Sequence, residues 1–104
     1  MLNIEVSDSA WPPLTQVLNV SSKMTGVEGV IDLKWKRLRG AKFYTVQVTA
    51  TPEVAASWTQ LVIVPRSRVK LTEMPSLQVR YFRVAGTGTA GQGPWSEVAE
   101  GIAR

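Results

Sequence analysis

What most constrains this chain is a period of two. From Val30 to Lys36, the apolar Ile31, Leu33 and Trp35 alternate with Asp32, Lys34 and Lys36. That is the pattern of a strand with one face in a core and the other in water. From Phe43 to Thr49, Tyr44, Val46 and Val48 take one side while Thr45, Gln47 and Thr49 take the other. Further runs follow at Trp58 to Val64, at Val69 and Leu71, at Phe82 and Val84, and at Val98 with Ile102. Gly, Pro and Ser punctuate them every 8–12 residues or so, and β-branched and aromatic residues fill them. No window carries a helical period. Strands of this kind pack as two antiparallel sheets roughly 10 Å apart, so an all-β sandwich is expected. Trp35, central in its run, is expected to be the largest contributor to the core, with Tyr44 and Phe82 also inward.

The beginning of the chain is patterned less clearly. Pro12 and Pro13 cannot take part in ordinary ladder bonding and mark the entry to a domain spanning 13–104. Residues 1–12 are then an N-terminal extension or linker, although Leu2, Ile4 and Val6 alternate as a short extra strand would. Leu14 to Met24 is expected to supply the first strand, with Leu18 and Val20 as inward anchors. A length of 104 residues suits one domain and allows a modest core without covalent staples.

What the chain lacks narrows its chemistry. There is no cysteine and no histidine, which removes disulfides, thiolate zinc sites and every catalytic pair built on an imidazole. The carboxylates, Glu5, Asp8, Glu28, Asp32, Glu53, Glu73, Glu97 and Glu100, are scattered rather than convergent. Acid–base chemistry needs two groups in one cleft, so a non-enzymatic chain without cofactor or metal is expected. Gly86, Gly88, Gly91 and Gly93 resemble a phosphate loop only superficially. A proline and a strand pattern follow them, not a helix N-terminus, and a flexible hairpin loop is the better reading. No apolar stretch reaches the roughly 20 residues of a membrane span, and Met1 to Ala10 lacks the pattern of a signal peptide.

The later residues carry a family likeness. Phe82-Arg83-Val84, followed by Gly91-Gln92-Gly93-Pro94-Trp95-Ser96-Glu97, resembles the end of a fibronectin type III domain. Leu33-Lys34-Trp35 is similar to the second strand of that family, Tyr44-Thr45-Val46-Gln47-Val48 to its third, and Gly40-Ala41-Lys42 to its bacterial branch. The likeness covers Pro13 to Ala103. It implies an immunoglobulin-like sandwich of about seven strands, with A, B and E facing C, C′, F and G; it is compatible with an extracellular or virion-associated setting but leaves the compartment open. One position departs from the pattern. The family usually has a tyrosine two residues before that phenylalanine, where its hydroxyl ties down a corner. Here Arg80 holds the place and Tyr81 stands one step on, so either the strand has slipped or the corner is held differently.

Three surfaces are candidates for function. Arg83 points outward and Trp95 opens the neighbouring strand, a pairing that reads as a stabilising cation–π stack. Leu61-Val62-Ile63-Val64 is apolar on both faces, and the likeness places it at an edge. Either Pro65 and nearby loops cover that edge, or Leu61 and Ile63 meet a flanking domain, another protein or a second copy in weak homodimerisation. Lys34, Lys36, Arg68 and Lys70 fall on one outward face, extended by Arg37, Arg39 and Lys42. With a net charge of +4, that face is either a solvated surface or a site for a polyanion such as nucleic acid, acidic polysaccharide or phospholipid. The expected function is that of a protein- or glycan-binding or spacer module, with anion binding as the alternative.

Overall fold

A computed structural model describes residues 13–104. The expected extension or linker of residues 1–12, and the alternation of Leu2, Ile4 and Val6, lie outside the described residues. Among the described residues there are eight strands: β1 Ser21–Met24, β2 Ile31–Lys34, β3 Phe43–Thr49, β4 Thr59–Val64, β5 Arg68–Leu71, β6 Val79–Gly88, β7 Gly91–Gln92 and β8 Ala99–Ile102. One short 3-10 turn, Ala55–Ser57, interrupts the all-β pattern. One sheet has the order β1-β2-β5; the other runs β4-β3-β6-β7, with β8 also paired to β6. All named strand pairs are antiparallel. The expected division of strands between two sheets is thus present. The count is eight rather than seven because Pro94, which has no N–H to give a ladder, falls between β7 and β8 and splits the last strand.

The inward alternation holds where it was clearest. Ile31, Leu33 and Trp35 from the first sheet are buried against Tyr44, Val46, Phe82 and Val84 from the second. Phe82 is the largest side chain with no exposure at all, while Trp35 lies just beyond β2 and is 5% exposed. The indole meets the Tyr44 ring edge-on, with centroids 5.3 Å apart, a geometry that suits the aromatic quadrupoles. Its Nε1 is buried without a hydrogen-bond partner among the described residues.

The first strand differs from its expected form. Only Ser21–Met24 of this segment forms a strand, although the Leu18 carbonyl accepts from the Lys36 amide at 2.9 Å, and Leu18 is 52% exposed while Val17 is buried. The reason is Asn19, whose φ of 60° is left-handed. That residue breaks the alternation, so the segment before it presents the opposite set of side chains. Val20 remains partly buried against the core. At the other end of the chain Val98 is 50% exposed and precedes β8 rather than anchoring it.

Arg80 does occupy the usual tyrosine place on β6, paired with Gly101. Its guanidinium donates to the Val79 carbonyl at 2.9 Å and to Gln78 Oε1 at 3.1 Å. Tyr81 has not slipped into the corner; it lies opposite Thr49 and Glu100 on the outer face. Main-chain bonds close the corner instead. Leu77 N–H donates to the Ala103 carbonyl at 2.8 Å, Met74 N–H to that of Gly29 at 2.9 Å, and Gly29 N–H to that of Arg104 at 3.0 Å. Met74 is buried beside them.

Two glycines permit close approach. A Cβ on Gly88 would lie 2.5 Å from the Gly40 carbonyl oxygen, and one on Gly101 would lie 2.7 Å from Ser22 Oγ. Gly88 is also the last residue of β6, which pairs with Gly91 across a tight turn. The glycine-rich segment is therefore mostly strand and hairpin, shorter than the flexible loop its composition suggested.

Candidate functional site

The outer face of the larger sheet carries the aromatic–cation cluster. Phe82 and Val84 turn inward, so Arg83 turns outward, directly across from Gln47. Its Nε donates to Gln47 Oε1 at 2.8 Å. The guanidinium lies 4.4 Å from the centroid of Trp58 and 4.5 Å from that of Trp95. Arg83 is thus held between two indoles, and partial burial pushes its pKa down from the ordinary arginine value. Each such contact contributes about 0.5–2 kcal/mol, depending on how far water is excluded. Trp95 is fixed in turn by its neighbour. The Ser96 amide donates to the Val84 carbonyl at 2.8 Å, and the buried Ser96 hydroxyl accepts from the Val84 amide at 2.9 Å. The stack expected of Arg83 and Trp95 is present, and its second indole, Trp58, was not expected. The signal was an aromatic residue immediately before an apolar strand, but only the register of three strands brings it to Arg83. Thr45, Thr49 and Ala85, at outer positions of the same two strands, are buried.

Leu61-Val62-Ile63-Val64 falls on β4. Among the described residues β4 hydrogen-bonds to β3 alone and forms one margin of its sheet. Pro65 does not cover it: Leu61 is 38% and Ile63 49% exposed. Val62 and Val64 pack against the core from the opposite side. The register passes from Val46↔Val62 to Gln47↔Gln60, so Leu61 is an extra, bulged residue. Pro65 instead lines a hollow with Arg37, Ala41, Tyr44, Arg66 and Ser67.

The four cations of the basic face are brought together as expected. Lys34 stands opposite Arg68, and Lys70 opposite Asp32, in the β2–β5 register, and Lys36 follows just beyond β2. All four are exposed. Asp32 compensates them more than its lone position suggested, because its Oδ2 pairs with Arg68 Nη2 at 3.3 Å. Lys23, opposite Asp32 on β1, belongs to the same face. Among the described residues there is no group of three or more carboxylates placed to hold a metal ion, and no helix is long and apolar enough to cross a membrane.

This arrangement of sheets is that of an immunoglobulin-like sandwich, and comparison with solved structures makes the fold more specific. No family model and no curated protein matches the chain. The crystal structure of FN3tt superposes with a TM-score of 0.78 at 12% identity, covering 89% of this chain and 97% of that one. A Fn3-like protein from Clostridium thermocellum gives 0.76 at 15%, covering 89% and 94%. The FN1-FN3 domains of chicken CNTN1 give 0.72 at 22%, covering 89% of this chain and 33% of that chain. The chain has the fibronectin type III fold.

Proposed function

We propose that the domain is a non-enzymatic protein-binding module that meets its partner, a flanking domain or another chain, along β4. The observation that carries this reading is an uncharged edge strand, unpaired on its outer side among the described residues, with Leu61 and Ile63 exposed. Every second N–H and C=O of an antiparallel edge points away from its neighbour and is open to a further strand. Natural edges are commonly protected by a charge or a proline, and Thr59–Val64 contains neither. The bulge at Leu61 confines regular pairing to the half of the strand that follows it. Similar folds occur beside other domains in longer chains, as in the titin kinase with its flanking domains, which supports a neighbour as the partner.

Self-association is the accessible readout, since two copies of such an edge are complementary. Sedimentation of the unmodified protein at rising concentration is expected to give a weak dimer, and Ile63→Lys is expected to abolish it without lowering the melting temperature appreciably. A protein that stays monomeric at millimolar concentration would dispose of the proposal.

A further inference from the structure

The positive charge of this domain is concentrated at one end. The segment that leaves β2 and enters β3 supplies Lys34, Lys36, Arg37, Arg39 and Lys42, and the turn between β4 and β5 supplies Arg66 and Arg68. All are exposed. The antiparallel order of the strands puts these two connections at the same end of the sandwich. Glu28, Glu53 and Glu73 lie in the β1–β2, β3–β4 and β5–β6 connections, at the opposite end. Among the described residues the one ion pair is that of Asp32 with Arg68, so most of the cations crowd together without a carboxylate beside them. Mutual repulsion of this kind is relieved by a bound anion.

Between the two connections lies a hollow of about 260 Å³, lined by Arg37, Arg66, Ser67, Tyr44, Ala41 and Pro65. Tyr44 is only 2% exposed, and its hydroxyl accepts from the Leu38 amide at 2.9 Å. That leaves the phenolic proton to donate, and the described residues give it no acceptor. Two guanidinium groups and two hydroxyl donors around one hollow are the components of an oxyanion site, and arginine's fork suits the geminal oxygens of a sulfate or carboxylate.

We propose that this hollow binds an acidic group of a flexible, sulfated or uronic acid-containing polysaccharide, with the neighbouring cations engaging the next groups along the chain. The shape of the charged region selects this polyanion. Lys34 and Arg68 lie on the outer face of one sheet, whereas Lys42, whose amide donates to the Thr87 carbonyl at 2.7 Å, borders the other. The sheets are roughly 10 Å apart, so the cations curve around an end instead of following a line. A flexible chain can bend over that end, but duplex DNA, with a persistence length of about 50 nm, touches it along one line only.

The test compares heparin and a short DNA duplex as probes, by fluorescence titration at about 50 mM salt and upward. Heparin is expected to bind at least about tenfold more tightly than the duplex, with an affinity that falls linearly on a log–log salt plot. Arg37→Ala with Arg66→Ala is expected to weaken heparin binding about tenfold or more and to reduce the salt slope by roughly the two contacts removed. Arg80→Ala with Arg104→Ala removes the same charge at the opposite end of the sandwich and is expected to change affinity less than about threefold, as a purely long-range effect would. Melting curves establish that each variant is folded. Failure of heparin to bind, equal binding of the duplex, or equal losses in the two double variants would overturn the proposal.

Discussion

Trp35 offers a measurement in which two opposing effects can be separated. Its indole is 5% exposed and packs edge-on against Tyr44, yet Nε1 is buried with no acceptor among the described residues. Trp35→Ala removes the whole ring and leaves a cavity, which costs about 3–5 kcal/mol. Trp35→Phe keeps a ring against Tyr44 and deletes the orphaned N–H. Leaving such a group buried costs about 1–3 kcal/mol, and that penalty disappears with it. The smaller ring loses some packing, of similar size and opposite sign. Trp35→Phe is therefore expected to lie within about 1 kcal/mol of the parent. Urea unfolding followed through the remaining tryptophans gives both values under one two-state treatment. If Trp35→Phe were nearly as damaging as Trp35→Ala, the indole N–H would have a partner and the orphaned-group argument would be wrong.

Other expectations follow from contacts already described. Tyr81→Phe is expected to change the melting temperature little, because main-chain bonds close the corner; a loss of about 1 kcal/mol or more would place the hydroxyl in a hydrogen bond. Arg83→Ala is expected to cost about 1–3 kcal/mol, and in Trp58→Ala/Arg83→Ala double variants the two losses should not add, because they share one contact. Gly101→Ala is expected to be destabilising, since its methyl meets Ser22 Oγ and the Phe82 ring; a neutral result would mean that the two sheets part easily at that margin.

Much of the core could be read from the alternation in Ile31 to Trp35 and Tyr44 to Val48, because an unbroken strand fixes which side chains face inward. The first strand departs from its pattern for the same reason in reverse. Leu14 to Met24 looks continuous as letters, but a left-handed Asn19 reverses the sides, and a single asparagine does not announce its φ in advance. The edge position of Leu61 and Ile63 followed from family likeness and from an apolar pattern on both faces. Trp58 could not be assigned to Arg83, because that contact depends on the register of β4, β3 and β6 together. The cations of the basic face were correctly grouped, but a pair such as Asp32 with Arg68 depends on cross-strand register, which alternation alone leaves open. The hollow beside Tyr44 joins two connections distant in the chain and has no sequence signature.

The most direct test of the β4 account is a dilution series followed by backbone amide chemical shifts. With the edge as the contact, concentration-dependent shifts should concentrate in Thr59–Val64 and extend to its β3 neighbours. They should vanish in Ile63→Lys while the rest of the spectrum remains that of the parent. Shifts confined to another surface, such as β1 or the β2–β5 face, or a spectrum unchanged up to millimolar concentration, would contradict it.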